Sequence, residues 1–263
     1  MHENTTSTRT VAALHSSGAG ARQWEPYRSL IDPAWRFVAP DLLGYDGATA
    51  WPVGGMTSLD AEARRVAEVM DGIGAAPMHL VGHSYGGSVA LQVALRWPQR
   101  VASLTLFEPV RFALLRGHDE AAWRDIVGAG RRIGALALAG RMHESAQAFV
   151  DYWSGAGAWQ RLGPVRQDAV ARRMPKVQAE FEALFDDAVS PADYGRLTMP
   201  LHLVCGSASP APARRVAERL VQLHPHARLT RWAGADHMAP LTQVERFARL
   251  LPGALKLEQG LAA

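Results

Sequence analysis

One cysteine, Cys205, occurs in 263 residues, which excludes an internal disulfide. It ends an apolar run and reads as a small buried hydrophobe rather than a nucleophile. No run approaches the ~20 apolar residues of a membrane span. The segment Met1 to Thr10 is polar and lacks the apolar centre of a secretion signal. These absences predict a soluble, reduced, cytoplasmic protein. Lysine is nearly missing too. Only Lys176 and Lys256 occur, so arginine carries almost all the positive charge behind a net charge of +3. The arginines are scattered among acidic residues, as on solvated helix faces, and leave no nucleic-acid footprint. No His, Asp and Glu cluster has metal-ligand spacing, and no G-x-G-x-x-G opens the first helix. No cofactor and no metal are expected. The partner is a small-molecule substrate, without nucleic acid or membrane, and a homodimer is left open.

What is present alternates. Short apolar runs at Thr10–Leu14, Arg36–Ala39, Pro77–Val81, Val101–Phe107, Leu201–Cys205 and Arg228–Trp232 read as buried strands. Helical spacing lies between them. A helix is expected over Ala21–Ile31, and Leu59, Ala63, Val66, Met70 and Ile73 mark one face of another. A glycine-rich loop runs from Gly44 to Gly55. The pattern predicts an α/β protein with a doubly wound, mostly or wholly parallel sheet of about six strands. From about 110 to 193 strands vanish and helical patterns replace them. Pro175 suits a helix start and Ser190-x-x-Asp193 suits a capping box. The chain divides into a core, 1–109 and 194–263, and a helical insertion, 110–193.

The segment Gly82-His83-Ser84-Tyr85-Gly86-Gly87 follows a strand and opens a helix. That is a G-x-S-x-G elbow, a sharp turn that exposes the serine hydroxyl. Gly82 and Gly86 are small because backbones pass close to the turn. A serine hydroxyl needs a base to take its proton. Position selects among ten histidines. His237 comes directly after the last strand, at the sheet end where doubly wound folds gather their chemistry. The oxyanion of an acyl-transfer intermediate needs two amide donors. Tyr85, after the serine, is one; Ser17, in the small-residue loop after the first strand, is the other.

Taken in order, five segments resemble the α/β-hydrolase superfamily. They are Leu14-His15 with its loop, Ala39 to Gly44, Gly82 to Gly87, Pro200 to Gly206, and Gly234 to Met238. The resemblance implies a helical cap over the site. Two departures stand out. Family members usually have two further strands before this first loop, but only about fourteen residues precede His15 here, so a sheet trimmed to about six strands is expected. The usual acid is missing from Gly206-Ser207-Ala208-Ser209-Pro210. Some family members carry the acid after the preceding strand instead, where Glu108 stands. Glu108 is therefore the expected acid, with Asp186 and Asp193 in reserve. Asp41 and Asp236 read as structural.

The implied enzyme is a carboxylic ester hydrolase with a Ser84, His237 and Glu108 triad and an apolar acyl or alcohol group in its substrate. Ser16, His83, Trp153 and Trp159 are the candidate substrate-binding residues. The nearest rival is a C–C bond hydrolase of β-diketone-like acids, for which a pocket arginine such as Arg111 would be the sign. A rival of another class is a ligand-binding protein on a hydrolase scaffold.

Overall fold

A computed structural model of the chain describes residues 9–45 and 55–255. The first eight residues and the interior of the glycine-rich loop lie outside the described residues. Six strands form one sheet: β1 Thr10–Leu14, β2 Arg36–Val38, β3 Met78–His83, β4 Val101–Phe107, β5 Leu201–Gly206 and β6 Ala227–Trp232. All pairings are parallel, in the order β2-β1-β3-β4-β5-β6. Among the described residues this is the wholly parallel, six-stranded sheet that the alternation of runs predicts.

The strands read as nearly continuous apolar runs because helices cover both faces. Alternate residues serve opposite faces. Ala12 and Leu14 join one core with the helices α1 Leu59–Ile73 and α2 Tyr85–Arg96. Val11 and Ala13 join a second core with Trp24, Tyr27 and Phe247. Ser58 caps α1 by accepting the amide of Ala61, and Asp60 and Glu62 favour its first turn.

The segment Ala21–Leu30 is a 3₁₀ helix rather than an α-helix. Pro26 inside it has no N–H to give to a residue one α-turn back.

Between β4 and β5 the described residues form helices joined by turns, with no strand. They comprise a 3₁₀ turn Phe112–Leu115, then α3 Glu120–Leu138, α4 Met142–Ser154, α5 Ala158–Arg161, α6 Pro164–Ala171, α7 Met174–Phe185 and α8 Pro191–Tyr194. Pro175 sits in the first turn of α7, and the Ser190 and Asp193 capping box of α8 is formed on both sides. The periodicity does not reveal α3, although it is a 19-residue helix. Its glycines weaken the signal but serve packing. A Cβ at Gly130 would come within 2.8 Å of the Phe185 ring. After β5 come α9 Ala211–Leu223, α10 Ala239–Thr242 and α11 Val244–Ala248.

Strand order reverses once. The chain leaves β1 for β2 on one side, then returns to place β3 on the other. The crevice at such a switch point lies outside the carboxyl ends of β1 and β3. Leu14 pairs level with Gly82, so the loop after β1 and the elbow after β3 open side by side. Among the described residues no helix is long and apolar enough to cross a membrane.

Candidate active site

Ser84 occupies the bend between β3 and α2 with φ 55° and ψ −118°. Positive φ is costly for a residue with a side chain and persists only where the surroundings impose it. Here two close approaches impose it. A Cβ on Gly86 would fall 2.3 Å from the Leu14 carbonyl oxygen, and one on Gly82 would fall 2.6 Å from Gly87 Cα. The elbow glycines thus let α2 start directly against β1 and β3. Among the described non-glycine residues only Ser84 and Glu108 have positive φ, Glu108 at 45°.

Those two side chains are joined through His237. Ser84 Oγ lies 2.9 Å from His237 Nε2. His237 Nδ1 lies 2.5 Å from Glu108 Oε2. The other Glu108 oxygen accepts the Gly206 amide at 2.7 Å. Glu108 therefore bridges the end of its own strand, β4, to the end of β5 and to the loop after β6. The alternative carboxylates are used elsewhere. Asp236 accepts the amide of Met238 and Asp193 completes its capping box. Asp41 accepts the amide of Ala21. Trp153 lies stacked on the His237 ring at a centroid distance of 4.1 Å, which closes that side of the imidazole.

The loop after β1 is held from several directions. Gln23 Oε1 accepts both the amide and the hydroxyl of Ser16 at 3.0 Å. Its amide group meets His83 Nδ1 at 3.1 Å. His83 Nε2 in turn donates to the carbonyl of His237 at 2.8 Å. Burial pushes the His83 imidazole well below its ordinary value, so it stays neutral as that bonding requires. Gln23 thus ties the loop after β1 to the elbow and, through His83, to the His237 loop. The Gly18 amide goes to the Tyr45 hydroxyl at 2.8 Å. Arg173 binds the carbonyls of Gly18 and Ala19 at 2.7 and 2.9 Å. With the Ser16 and Gly18 amides engaged, Ser17 and Tyr85 keep backbone N–H groups with no acceptor among the described protein atoms.

A cavity of about 30 Å³ lies at Ser84. Its apolar wall comprises Val110, Phe112, Phe149, Phe181, Leu184 and Met238. Ser16, Ser17, Trp153, Glu180 and His237 complete it. Of the expected substrate-binding residues, Ser16 and Trp153 line this cavity. His83 and Trp159 do not, and both expectations are corrected. His83 is turned under the site between Gln23 and the His237 carbonyl. Trp159 is buried in the insertion, its ring edge-on to His143 at 6.2 Å. Arg111 also fails to reach the cavity. It is fully buried, 2.9 Å from Asp187 and bonded to Tyr194 and Gln92. Burial raises the Cys205 thiol to about 11, in keeping with an inert thiol.

Sequence reading missed a buried polar group beside the site. Lys176 Nζ lies 2.6 Å from Glu62 Oε1 and 3.5 Å from Glu180 Oε1. The Tyr45 hydroxyl donates to Glu180 at 2.9 Å and the Tyr85 hydroxyl to Glu62 at 3.4 Å. One signal was available. Lys176 is one of two lysines in an arginine-rich chain and stands four residues before Glu180 on a helix.

Comparison with known proteins agrees with the fold. A family model described as the alpha/beta hydrolase family matches residues 11–250. A 2-hydroxy-6-oxononadienedioate/2-hydroxy-6-oxononatrienedioate hydrolase of Klebsiella pneumoniae is 38% identical over 101 residues, 37% of this chain and 35% of that one. The chain thus matches about a third of that relative's length. Among solved structures, a hydrolase from Pseudomonas aeruginosa superposes with a TM-score of 0.75 at 23% identity, covering 94% of this chain and 89% of the other. A thermophilic esterase from Thermogutta terrifontis superposes at 0.72 and 19% identity, covering 92% and 87%. With a family match spanning nearly the whole described core, six parallel strands and a serine at the elbow, the chain belongs to the α/β hydrolase family.

Proposed function

We propose that the chain is a serine hydrolase that breaks a bond to a carbonyl carbon through an acyl-enzyme on Ser84. The observation that carries this reading is the hydrogen-bonded row Ser84, His237, Glu108, with Ser84 in a forced conformation at the head of α2. In this reading Ser84 Oγ attacks the carbonyl and His237 Nε2 takes its proton. Glu108 holds the Nδ1–H tautomer and stabilises the imidazolium. The Ser17 and Tyr85 amides take the developing oxyanion, each worth ~10²–10³ in rate. His237 then returns the proton to the leaving group, and water releases the acyl group. No step needs a cofactor. Helices α3 to α8 act as the cap.

Two bond types remain. The names of the sequence relatives favour carbon–carbon cleavage of β-diketone-like acids over ester cleavage. The cavity favours an uncharged ester or lactone, because no arginine or lysine is among its lining residues and Glu180 is. Arg111, the expected reader of an anionic substrate, is engaged with Asp187.

One experiment tests the shared chemistry and then divides the readings. A fluorophosphonate probe should label the wild type and leave Ser84→Ala unlabelled; a wild type that stays unlabelled would favour the binding-protein alternative. The kcat/KM for p-nitrophenyl butyrate is then compared with that for 2-hydroxy-6-oxo-6-phenylhexa-2,4-dienoate. The faster substrate identifies the bond.

A further inference from the structure

The cavity at Ser84 is walled by apolar side chains except where α7 meets the loop after β1. Glu180 stands there. It lines the cavity and is fully buried. Its Oε1 accepts the Tyr45 hydroxyl and lies near Lys176 Nζ, which also serves Glu62. Its Oε2 has no hydrogen-bond partner among the described protein atoms. Burial pushes the Glu180 carboxyl up, while Lys176 and the Ser17 hydroxyl pull it back. A buried carboxyl oxygen without a partner is disfavoured in a folded protein, and one at a ligand cavity calls for a functional account. No second cation reaches it from the cavity lining.

We propose that Glu180 Oε2 is a specificity-determining contact that reads a hydroxyl or enol O–H on the acyl side of the substrate. The inference rests on the serine-hydrolase reading of Ser84. A hydroxyl suits Glu180 in either protonation state, since it donates to a carboxylate and accepts from a carboxylic acid. An ammonium suits only the ionised form and a carboxylate only the neutral one. Each would also bring a full charge among Phe112, Phe149, Phe181 and Leu184. The acyl side follows from placement. The leaving group must reach His237 Nε2 for its proton, at the ring edge beside Ser84. Glu180 meets the cavity beside Ser17 and the loop after β1, where the Ser17 and Tyr45 hydroxyls act on it.

The test uses phenyl butyrate and the phenyl esters of 2- and 3-hydroxybutyrate, each enantiomer separately. The wild type should prefer one hydroxy ester over butyrate by about tenfold or more in kcat/KM, as expected of a site with a buried polar group to satisfy. Glu180→Leu should bring that ratio to about one. Where the leucine variant does not fold, Glu180→Gln, which keeps the volume, should change the ratio by about fivefold or more. No hydroxyl preference in the wild type, or a ratio unmoved in the folded variant, overturns the proposal. Failure of the wild type to turn over any of the esters, with no Ser84-dependent labelling, removes the parent reading and this one with it. Turnover without preference removes only this one.

Discussion

Glu108 and His237 meet at 2.5 Å although 129 positions separate them, and they meet because β4 and β6 both end at the β5 edge. The acid sits one strand nearer the elbow than Ser209, at the position left without a carboxylate. Its second oxygen is fixed by the Gly206 amide at the end of the intervening strand. Glu108→Gln preserves the volume and an acceptor for Gly206, but not the charge that stabilises an imidazolium. It is expected to lower kcat by ~10³–10⁴ with an unchanged circular dichroism spectrum. Retention of activity within a few-fold of wild type would overturn the assignment.

The residues of that row were legible because each follows a strand closely and local sequence marks each strand end. Side-chain direction was not legible in the same way. His83 adjoins Ser84 in sequence, yet β alternation turns it beneath the sheet end, toward Gln23. Gln23 carries no motif, and its role depends on two loops meeting in space. Glu62, Lys176 and Glu180 lie on two helices far apart in the chain, and only packing joins them. The 3₁₀ course of Ala21–Leu30 had a visible cause in Pro26.

Arg111 shows how position alone misleads. Its guanidinium is buried against Asp187, Tyr194 and Gln92, so the structure gives it a stabilising role. Arg111→Met should destabilise the protein by about 3 kcal/mol, because it leaves the largely buried Asp187 carboxylate without its cation and held, among the described residues, only by the Val189 amide. The double variant Arg111→Met, Asp187→Asn should recover part of that loss in urea titrations. If the single change altered selectivity for anionic over neutral esters at unchanged stability, Arg111 would belong to the substrate site after all.

The elbow's tolerance can be measured at Gly86. An alanine Cβ there meets backbone oxygens of Leu14 and His15 at 2.3 and 2.5 Å, and neither is the end of a flexible side chain. Gly86→Ala should cost about 2–3 kcal/mol and displace the Tyr85 amide from the oxyanion. It should therefore lower kcat by more than it raises KM. An alanine variant with wild-type kcat would show that α2 can shift away from β1 freely.

Acid sensitivity follows from two buried histidines near the site. His15 is held down to about 4, mainly by burial. Its Nδ1 faces the Ser16 carbonyl and its Nε2 accepts the Leu42 amide. A second proton would set two donors against each other. His83 is lowered in the same direction, with Gln23 donating to its free nitrogen. Folded values below the ordinary 6.5 mean that the unfolded chain binds more protons between the two. Stability is then fully present above 6.5 and falls as pH drops toward 4. For His15 alone the loss is on the order of 3 kcal/mol. Urea midpoints should decline steadily from about pH 7 to about pH 4.5. A flat profile would contradict the buried neutral state.

The cavity at Ser84 is small, about 30 Å³, and apolar side chains form most of its wall. A long acyl chain fills more than this, so the wall is expected to limit the chain length accepted. Phe149 on α4 is the wall residue best suited to test this. It is only partly buried, so its loss threatens the fold less than loss of Phe181 or Leu184. Its ring also lies 3.7 Å from where a Cβ on Gly18 would stand, over the loop after β1. Phe149→Ala opens space beside that loop without touching Ser84, His237 or Glu108. The preferred acyl length in a p-nitrophenyl ester series should lengthen by about one to three methylenes. If the wild-type optimum is already long and the variant leaves it unchanged, the space comes from parting α4 and α7 from the sheet, and the wall does not set chain length.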